Sequence, residues 1–538
     1  MVFLRRRPSK AAVIGAIVAM LIGAMPVAAA KPTPGCDNRT NNTYAKLLEC
    51  VTLEGVREHQ NAFQQIANAN GGTRHAGESG YAASAQYVFD RLQQAGWTVS
   101  LHEFPFTYTP PPRLQQLTPA NATHETGAFT GTGFGEVTAA VTPIDVNFVT
   151  PATTTSGCQG DFTEAAVGAP IVPDPDGPDD FAGFTGGIAL VQRGACSFAL
   201  KATNAIAAGA AALIIFNQGS DPTRMDLIIG TLAPVSATIP VVGASYANGQ
   251  TLAQAGSTAL VDVDPPESRP QVNVIAERRG KNNANVVMAG AHLDSVQRGP
   301  GIQDNGSGSA ALLEVAEQIG KLKPENTLRF AWWGAEESGL IGSNQYVAGL
   351  SQAEKDRIAL YLNFDMIGSP NYMFMVYDGD ESGFAAPPGV PIPAGSIQIE
   401  DLFESFFTLR GEPYDDAQFS GRSDYQAFIL NDIPAGGLFT GAEVPKTAAQ
   451  AAIWGGTVGA QYDPCYHLAC DTFANISLHA LDVNSDAVAF AVLTYSYSTQ
   501  SVNGVPGKAV PGGLVIPPPA GPEGTVGSGS GAEHAPLD

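Results

Sequence analysis

Long apolar runs are almost absent from this 538-residue chain. Residues 11–24 form one such run, which is shorter than the ~20 residues of a membrane span, and no later stretch is long enough to cross a bilayer. Four basic residues precede this run and Ala28-Ala29-Ala30 follows it, which is the order of an export signal with its cleavage site. We therefore predict a signal peptide over residues 1–30 and a soluble, secreted mature protein, with an uncleaved anchor as the alternative.

Positive charge is also scarce, with 28 Lys and Arg against 51 Asp and Glu. Removal of the four basic residues of the signal leaves 24 positive against 51 negative side chains, a net charge of about −27. So acidic a surface repels nucleic acid, which argues against that class of partner. The length of the mature chain is sufficient for two or more domains.

Three common site signatures are missing. The chain has no C-x-x-C, no H-E-x-x-H and no G-x-S-x-G, which argues against a thiolate zinc site, a zincin and a serine hydrolase. Cysteine is limited to six residues, and an even number in an exported chain favours disulfides. Many pairings are possible, and the order along the chain favours Cys36–Cys50, Cys158–Cys196 and Cys465–Cys470.

Apolar spacing predicts helices over 43–70 and 80–95, followed by a strand over 97–107. The next region is rich in Pro, Gly and Thr and contains short strand signals, which are typical of a β-rich insertion. From residue 270 onward, continuous apolar strands alternate with helices. That alternation predicts an α/β fold whose central sheet is mixed, mostly parallel and flanked by helices.

Acidic residues and histidines gather where the predicted strands of this last region end. In an open α/β sheet, ligands bind outside the carboxyl ends of the strands, so we expect these side chains to converge. A later loop adds one more histidine. The residues concerned are His292, Asp304, Glu336, Glu337, Asp365 and His467.

With one glutamate of the adjacent pair counted as a ligand, the set is two imidazoles and three carboxylates. These groups suit zinc, which takes nitrogen and oxygen ligands and keeps one position open for water at catalytic sites. They are too many ligands for one catalytic ion, but they suffice for two if one carboxylate bridges, and paired metals activate one water between them. Successive side chains of an extended segment point in opposite directions. One glutamate of the pair Glu336-Glu337 can therefore bind metal while the other faces the water as a general base.

Four segments together resemble the co-catalytic zinc aminopeptidases, of the aminopeptidase Y and secreted bacterial leucine aminopeptidase type. They are GAHLDSVQRGPGIQDNGSGSAALLEVA, FAWWGAEESGLIGSNQYV, NFDMIG and CYHLACDT. Residues 185–250 resemble a protease-associated domain, and the whole resemblance covers most of residues 43–500. The domain limits that we predict are signal peptide 1–30, N-terminal part of the peptidase domain 31–130, protease-associated insertion 131–268, zinc peptidase catalytic domain 269–502 and disordered Gly/Pro-rich tail 503–538.

The resemblance implies two Zn²⁺ ions per chain and a role for each site residue. His292 and Asp365 resemble the ligands of one ion, Glu337 and His467 resemble those of the other, and Asp304 resembles the bridge. Glu336 matches the general base, Asp294 the acid that orients His292, and Tyr466 a tyrosine that stabilises the oxyanion.

The implied activity is hydrolysis of the N-terminal bond of peptides or proteins, with a preference for Leu or other large apolar residues. Residues 423–425 and Phe439 are candidates for the wall of the side-chain pocket, with ordinary core positions as the alternative. A carboxypeptidase or dipeptidase of the same fold is a second possibility and would need Arg422 or Arg298 near the site. A receptor-like module without turnover is a third, against which the complete ligand set argues.

Overall fold

The computed structural model describes residues 35–526, so the predicted signal peptide and the last part of the tail lie outside the described residues. The sequence predicts one continuous helix over 43–70, but the structure has two helices there. The second helix begins after Thr52, whose side chain caps it by accepting a hydrogen bond from Gly55 N. The first elements are α1 (Tyr44–Leu48), α2 (Leu53–Ala69), α3 (Ser79–Gln94) and β1 (Thr98–Tyr108).

A seven-stranded sheet with two helices follows in the middle of the chain. Its elements, with one separate two-stranded sheet (β5 and β6), are β2 (Arg113–Thr118), β3 (Ala122–His124), β4 (Gly135–Pro143), β5 (Phe162–Thr163), β6 (Val172–Pro173), β7 (Gly187–Gln192), α4 (Phe198–Ala207), β8 (Ala210–Phe216), β9 (Val241–Ala244), α5 (Tyr246–Leu252) and β10 (Thr258–Val263). The strand order is β3-β2-β10-β4-β7-β8-β9. This sheet includes β2 and β3, which lie before the predicted start of the insertion at residue 131.

The rest of the chain forms the larger unit. Its elements are β11 (Glu267–Arg278), β12 (Asn282–His292), α6 (Gly306–Gln318), β13 (Asn326–Trp333), α7 (Ile341–Gly349), α8 (Gln352–Lys355), β14 (Ile358–Phe364), β15 (Met375–Tyr377), α9 (Ser396–Arg410), β16 (Asp415–Ala417), α10 (Tyr425–Ile429), β17 (Ala435–Phe439), α11 (Ala448–Trp454), α12 (Leu478–Tyr497) and α13 (Gln500–Asn503).

The larger unit is built on an eight-stranded mixed sheet in the order β1-β11-β13-β12-β14-β17-β15-β16. Its centre, from β13 through β12 and β14 to β17, is parallel. Every residue of β14 is buried, because helices cover both faces. These observations confirm the predicted α/β class. Strand β15 runs antiparallel to β17, so its carboxyl end lies at the opposite edge of the sheet from those of the central strands.

Three disulfides join the cysteine pairs that the order of the chain favours: Cys36–Cys50, Cys158–Cys196 and Cys465–Cys470. Within residues 35–526, no helix is long and apolar enough to span a membrane. Residues 504–526 contain neither helix nor strand and are mostly exposed, but Val510, Ile516 and Val526 contact the core of the larger unit. The main-chain nitrogens of Thr525 and Val526 donate hydrogen bonds to Asp415 Oδ2 at the end of this stretch.

Candidate active site

Strand β12 delivers His292 to the carboxyl edge of the sheet, and α6 begins beside it. Asn305 caps this helix, because its side-chain oxygen accepts a hydrogen bond from Gly308 N at 2.9 Å. The preceding Asp304 is therefore not needed as a cap, and its carboxylate faces the histidines.

Asp304 lies between the two predicted histidine ligands. Its Oδ1 is 3.2 Å from His292 Nε2, and its Oδ2 is 3.4 Å from His467 Nε2. Asp365 Oδ1 lies 3.2 Å from His292 Nε2, and Glu337 Oε2 lies 3.1 Å from His467 Nε2. The five predicted ligands thus come together as two groups that share Asp304.

Glu336 and Glu337 lie in a turn after β13, not on the extended segment that the sequence argument assumed. Ala335 has a left-handed φ of 58°, and Leu340 N donates to Glu336 O at 2.8 Å, which closes the turn. Both glutamates consequently line one cavity instead of pointing to opposite sides. Glu336 Oε2 lies 3.8 Å from His292 Nε2.

Asp294 is fully buried behind the two glutamates. Its Oδ1 and Oδ2 accept hydrogen bonds from Glu336 N and Glu337 N at 3.2 and 3.3 Å. His292 Nδ1 lies 3.2 Å from the main-chain oxygen of Asp294 and 3.7 Å from its carboxylate Oδ1. The resemblance implies that Asp294 orients the His292 imidazole. In the structure, its carboxylate makes hydrogen bonds to the glutamate turn and lies farther from the imidazole.

Ser423 is a support for Asp365, not a wall of the side-chain pocket. Its hydroxyl donates to Asp365 Oδ2 at 2.6 Å and accepts from Asn363 Nδ2 at 2.8 Å. Tyr425 and Phe439 are buried core residues, as the alternative interpretation of this segment has it, and the cavity wall does not include them.

The loop that carries His467 is short and covalently closed. The Cys465–Cys470 disulfide spans it, and His467 itself has a left-handed φ of 56°. The ring of Tyr466 stacks on the imidazole with the ring centroids 3.8 Å apart. Tyr466 and His467 both line the cavity.

Two buried residues that hold the Asp304 loop were missed by the sequence argument. Asp471 accepts hydrogen bonds from Gln303 N and Asp304 N at 2.8 and 3.0 Å. The guanidinium of Arg74, completely buried, donates to Pro300 O at 2.8 Å in the same loop. No spacing signal marks these residues, because their partners are backbone groups that only the folded chain brings near.

A cavity of about 310 Å³ opens over the cluster. Beyond the predicted site residues, its wall consists of Gly339, Leu340, Met366, Gly421, Arg422 and Gln426. Leu340 and Met366 make part of this wall apolar. Arg422 is the basic residue of the wall, with its Nη1 3.8 Å from Glu443 Oε1, whereas Arg298 lies outside the cavity.

The cluster holds negative charge away from water. Burial and the charge of Asp304 raise the pKa of Glu337 to about 7, and burial raises the pKa of Glu336 well above its usual range. Burial would lower the pKa of His467, but Glu337 and Asp304 together raise it to about 11. The surroundings of the site thus favour a bound positive charge.

The donor set fits divalent metal ions. Glu337 Oε1 and Asp365 Oδ1 are buried and have no hydrogen-bond partner in the described part of the chain. A buried carboxylate oxygen without a partner is costly, and a bound cation would satisfy both atoms. Imidazole nitrogen and carboxylate oxygen are ligands that zinc takes.

Comparison with protein families identifies two domains. Peptidase family M28 matches residues 273–492, and the PA domain matches residues 139–252. An aminopeptidase of Pseudomonas aeruginosa is 46% identical over 473 residues, which cover 86% of this chain and 84% of that protein. A probable leucine aminopeptidase 2 of Aspergillus fumigatus is 47% identical over 326 residues, 60% of this chain and 64% of that protein.

Solved structures agree with the fold. An aminopeptidase from Aneurinibacillus sp. strain AM-1 is 28% identical, with a TM-score of 0.50 over 88% of this chain and 98% of that one. BSAP, a zinc aminopeptidase from Bacillus subtilis, is 24% identical, with a TM-score of 0.55 over 82% of this chain and 94% of that one, and supports the fold alone. With its PA domain and its aminopeptidase relatives, the chain therefore belongs to Peptidase family M28, as one of the metallo-aminopeptidases.

Proposed function

We propose that this enzyme binds two Zn²⁺ ions and removes the N-terminal residue of peptides and proteins, with a preference for Leu or another large apolar residue. In the proposal, His292 and Asp365 would hold one ion, and Glu337 and His467 would hold the other. Asp304 would be a ligand shared by both.

The position of Asp304 carries this proposal. Its Oδ1 lies 3.2 Å from His292 Nε2, and its Oδ2 lies 3.4 Å from His467 Nε2. Two imidazoles and three carboxylates exceed the three protein ligands that a single catalytic zinc takes. A pair of ions that share one carboxylate accounts for all five ligands.

Paired divalent ions, when bound, polarise the scissile carbonyl and lower the pKa of an attacking water. In the proposed mechanism, Glu336 removes a proton from that water and returns it to the leaving amine. The Tyr466 hydroxyl donates a hydrogen bond to the oxyanion of the tetrahedral intermediate. Asp294 keeps Glu336 in place through its hydrogen bonds to the turn.

Several features support a free N-terminus as the recognised group. The buried acids of the cluster attract an α-ammonium group, and Leu340 and Met366 offer apolar surface to the first side chain. The name of the fungal relative, a leucine aminopeptidase, agrees with that preference. We also propose that residues 1–30 direct secretion, which the three disulfides support.

A pair of matched substrates tests the activity. The full-length, zinc-loaded enzyme is offered a leucine chromogenic amide with a free amine and the same compound with the amine acetylated. We expect turnover of the free-amine substrate alone and two zinc ions per chain by elemental analysis. Equal cleavage of the acetylated compound, or full activity with a single zinc, contradicts the proposal.

The position of Arg422 favours a second candidate, a carboxypeptidase or dipeptidase, since a guanidinium group binds a substrate carboxylate well. The variant Arg422→Ala separates the two functions. An aminopeptidase keeps its kcat/KM for leucine amides, which have no carboxylate. A carboxypeptidase or dipeptidase shows a large rise in KM for substrates with a free C-terminus.

We propose domain limits at the points where the chain passes between the two sheets. The passage out of the larger sheet follows Tyr108, and the passage back precedes Glu267. The insertion then spans 109–266, which starts earlier than the 131–268 that the sequence predicts. Limited proteolysis is expected to cut near both limits and to leave three fragments, of which the two flanking ones stay associated because β1 pairs with β11.

A further inference from the structure

A second group of carboxylates lies away from the active site, around the carboxyl end of β15 and the adjoining α9 and β16. Its members are Asp378, Asp380, Glu400, Glu404 and Asp416. All except Asp380 are buried. No ion pair within 4.0 Å joins any of the five to a basic side chain among residues 35–526.

Three members of this group face one another closely. Glu400 and Glu404 are one helical turn apart on α9, where like charges destabilise a helix. Asp416 lies on β16, and one carboxylate oxygen from each of these three residues is within 4.8 Å of the other two. Within residues 35–526, the fold thus brings three acids together without a compensating cationic side chain.

Backbone hydrogen bonds account for only part of the group. Both carboxylate oxygens of Asp378 have hydrogen-bond donors, because they accept from the main-chain nitrogens of residues 382, 383 and 384 at 2.7 to 2.9 Å. Glu400 Oε2 accepts from the nitrogens of residues 379 and 380 at 3.0 and 3.1 Å. No main-chain nitrogen in the described part of the chain is within hydrogen-bond distance of the Glu404 or Asp416 carboxylates, which lie near that of Glu400.

Asp416 gives the strongest indication of a missing partner. Its residue is 2% exposed, and its Oδ1 is buried without a hydrogen-bond partner in the described part of the chain. The other oxygen has only the Ser382 hydroxyl, at 3.4 Å. An unpaired buried carboxylate oxygen is costly, and a cation bound to Oδ1 would offset that cost.

The electrostatic surroundings agree with this geometry. Burial and the charges of neighbouring acids raise the pKa of Glu400 to about 9 and those of Glu404 and Asp416 to about 7. Either protons or a cation must offset that repulsion at neutral pH.

There is room for an ion and its water ligands. Glu400, Glu404 and Asp416 line a cavity of about 470 Å³, and residues 519–522, Gly524 and Val526 of the C-terminal stretch form another part of its wall. The three acids therefore line a partly open cavity that can hold an ion and several waters.

We propose that Glu400, Glu404 and Asp416 bind a calcium ion in this cavity, with Asp380 at its rim. Its donors within residues 35–526 are oxygen atoms, which suit Ca²⁺, with no imidazole or thiolate of the kind that zinc sites use. Ca²⁺ accepts six to eight oxygens in flexible geometry, so waters complete the shell, whereas Mg²⁺ demands a near-ideal octahedron.

Calorimetric titration of the full-length, zinc-loaded enzyme with Ca²⁺ tests this site. We expect one Ca²⁺ per chain beyond the two zinc ions, and a higher melting temperature when Ca²⁺ is bound. The variant Asp416→Asn keeps the shape of the side chain and is expected to lower the Ca²⁺ affinity about tenfold or more, since affinity follows the charge of the ligands. Aminopeptidase activity shows whether the variant is folded.

Asp401→Asn is the matched control, because Asp401 is an exposed acid of the same helix outside the three-acid group. It is expected to bind Ca²⁺ like the wild-type enzyme. If Asp416→Asn does not fold, Glu404→Gln serves for the same comparison. Absence of Ca²⁺ binding by the wild-type enzyme, tighter binding of Mg²⁺ than of Ca²⁺, or equal affinity of Asp401→Asn and the variant of the three-acid group overturns the proposal.

Discussion

The cluster around His292 and the cluster around Glu400 both gather buried carboxylates at one sheet, but they differ in donor type. The first joins imidazole nitrogens to its carboxylates, and the second has oxygen alone. They also lie at opposite edges, because β15 runs antiparallel to β17. Buried negative charge by itself therefore does not define the metal that a site prefers. Imidazole nitrogens beside the acids favour zinc, whereas oxygen donors alone favour calcium.

The largest expected effect comes from replacing one aspartate by asparagine in each cluster and comparing the two variants. Asp304→Asn removes the shared carboxylate from the active site, so we expect loss of zinc and activity at the level of the blank. Asp416→Asn is expected to keep both zinc ions and the activity. Elemental analysis and the leucine amide assay measure both variants, and a zinc deficit in Asp416→Asn breaks the distinction.

A smaller effect is expected where the base is removed and the ligands stay. Glu336→Gln should lower kcat by about 10²–10⁴-fold, because proton transfer from water is lost. Its zinc content should equal that of the wild-type enzyme. Glu404→Gln is the matched control in the second cluster, with unchanged kcat. A Glu336→Gln enzyme that has lost zinc would assign Glu336 to metal binding instead.

Loss of a support should cost less than loss of the base. Ser423→Ala removes the 2.6 Å hydrogen bond to Asp365 Oδ2, and groups that orient metal ligands contribute about 10–100-fold in affinity or activity. We expect a fall of that order in zinc affinity, measured by competition with a chromogenic chelator. Ser382→Ala, the corresponding hydroxyl beside Asp416, is expected to leave zinc affinity unchanged.

The smallest effect concerns the wall of the second cluster. Asp415 Oδ2 accepts hydrogen bonds from Thr525 N and Thr525 Oγ1 at 2.8 and 2.6 Å, and these attach the C-terminal stretch. Asp415→Asn should lower the free energy of unfolding by about 1–3 kcal/mol, since bonds to a charged acceptor are replaced by weaker ones. Denaturant unfolding measures this loss, and hydrogen exchange should rise in residues 519–526 while kcat stays the same.

Periodicity predicted the fold class and most elements of the larger unit. Strands such as β14 are apolar along their whole length, because both faces of the sheet are covered, and this makes them visible without a structure. The sequence predicts a start of the insertion at residue 131, later than the limit we propose, because no local signal shows that β2 pairs with β10 and β3 with β2. The split at Thr52 was also missed, although its capping residue type was present in the sequence.

The candidate site divides in the same way. The residue types of the ligand set were evident from the strand ends, because parallel strands bring their carboxyl ends to one edge. The prediction that Glu336 and Glu337 lie on an extended segment was wrong. Ala335 has a left-handed φ and begins a turn that no alternation pattern predicts. Ser423 and Asp471 became visible only through their partners, which lie far away in sequence.

The sequence by itself determined which groups could bind metal and at which ends of strands they stand, because side-chain chemistry and apolar periodicity are local properties. Only the tertiary structure decided that Asp304 faces both histidines and that Glu400, Glu404 and Asp416 meet around one cavity. Distances between atoms from different elements depend on how strands pair and how helices pack. Those contacts are set by the whole chain at once.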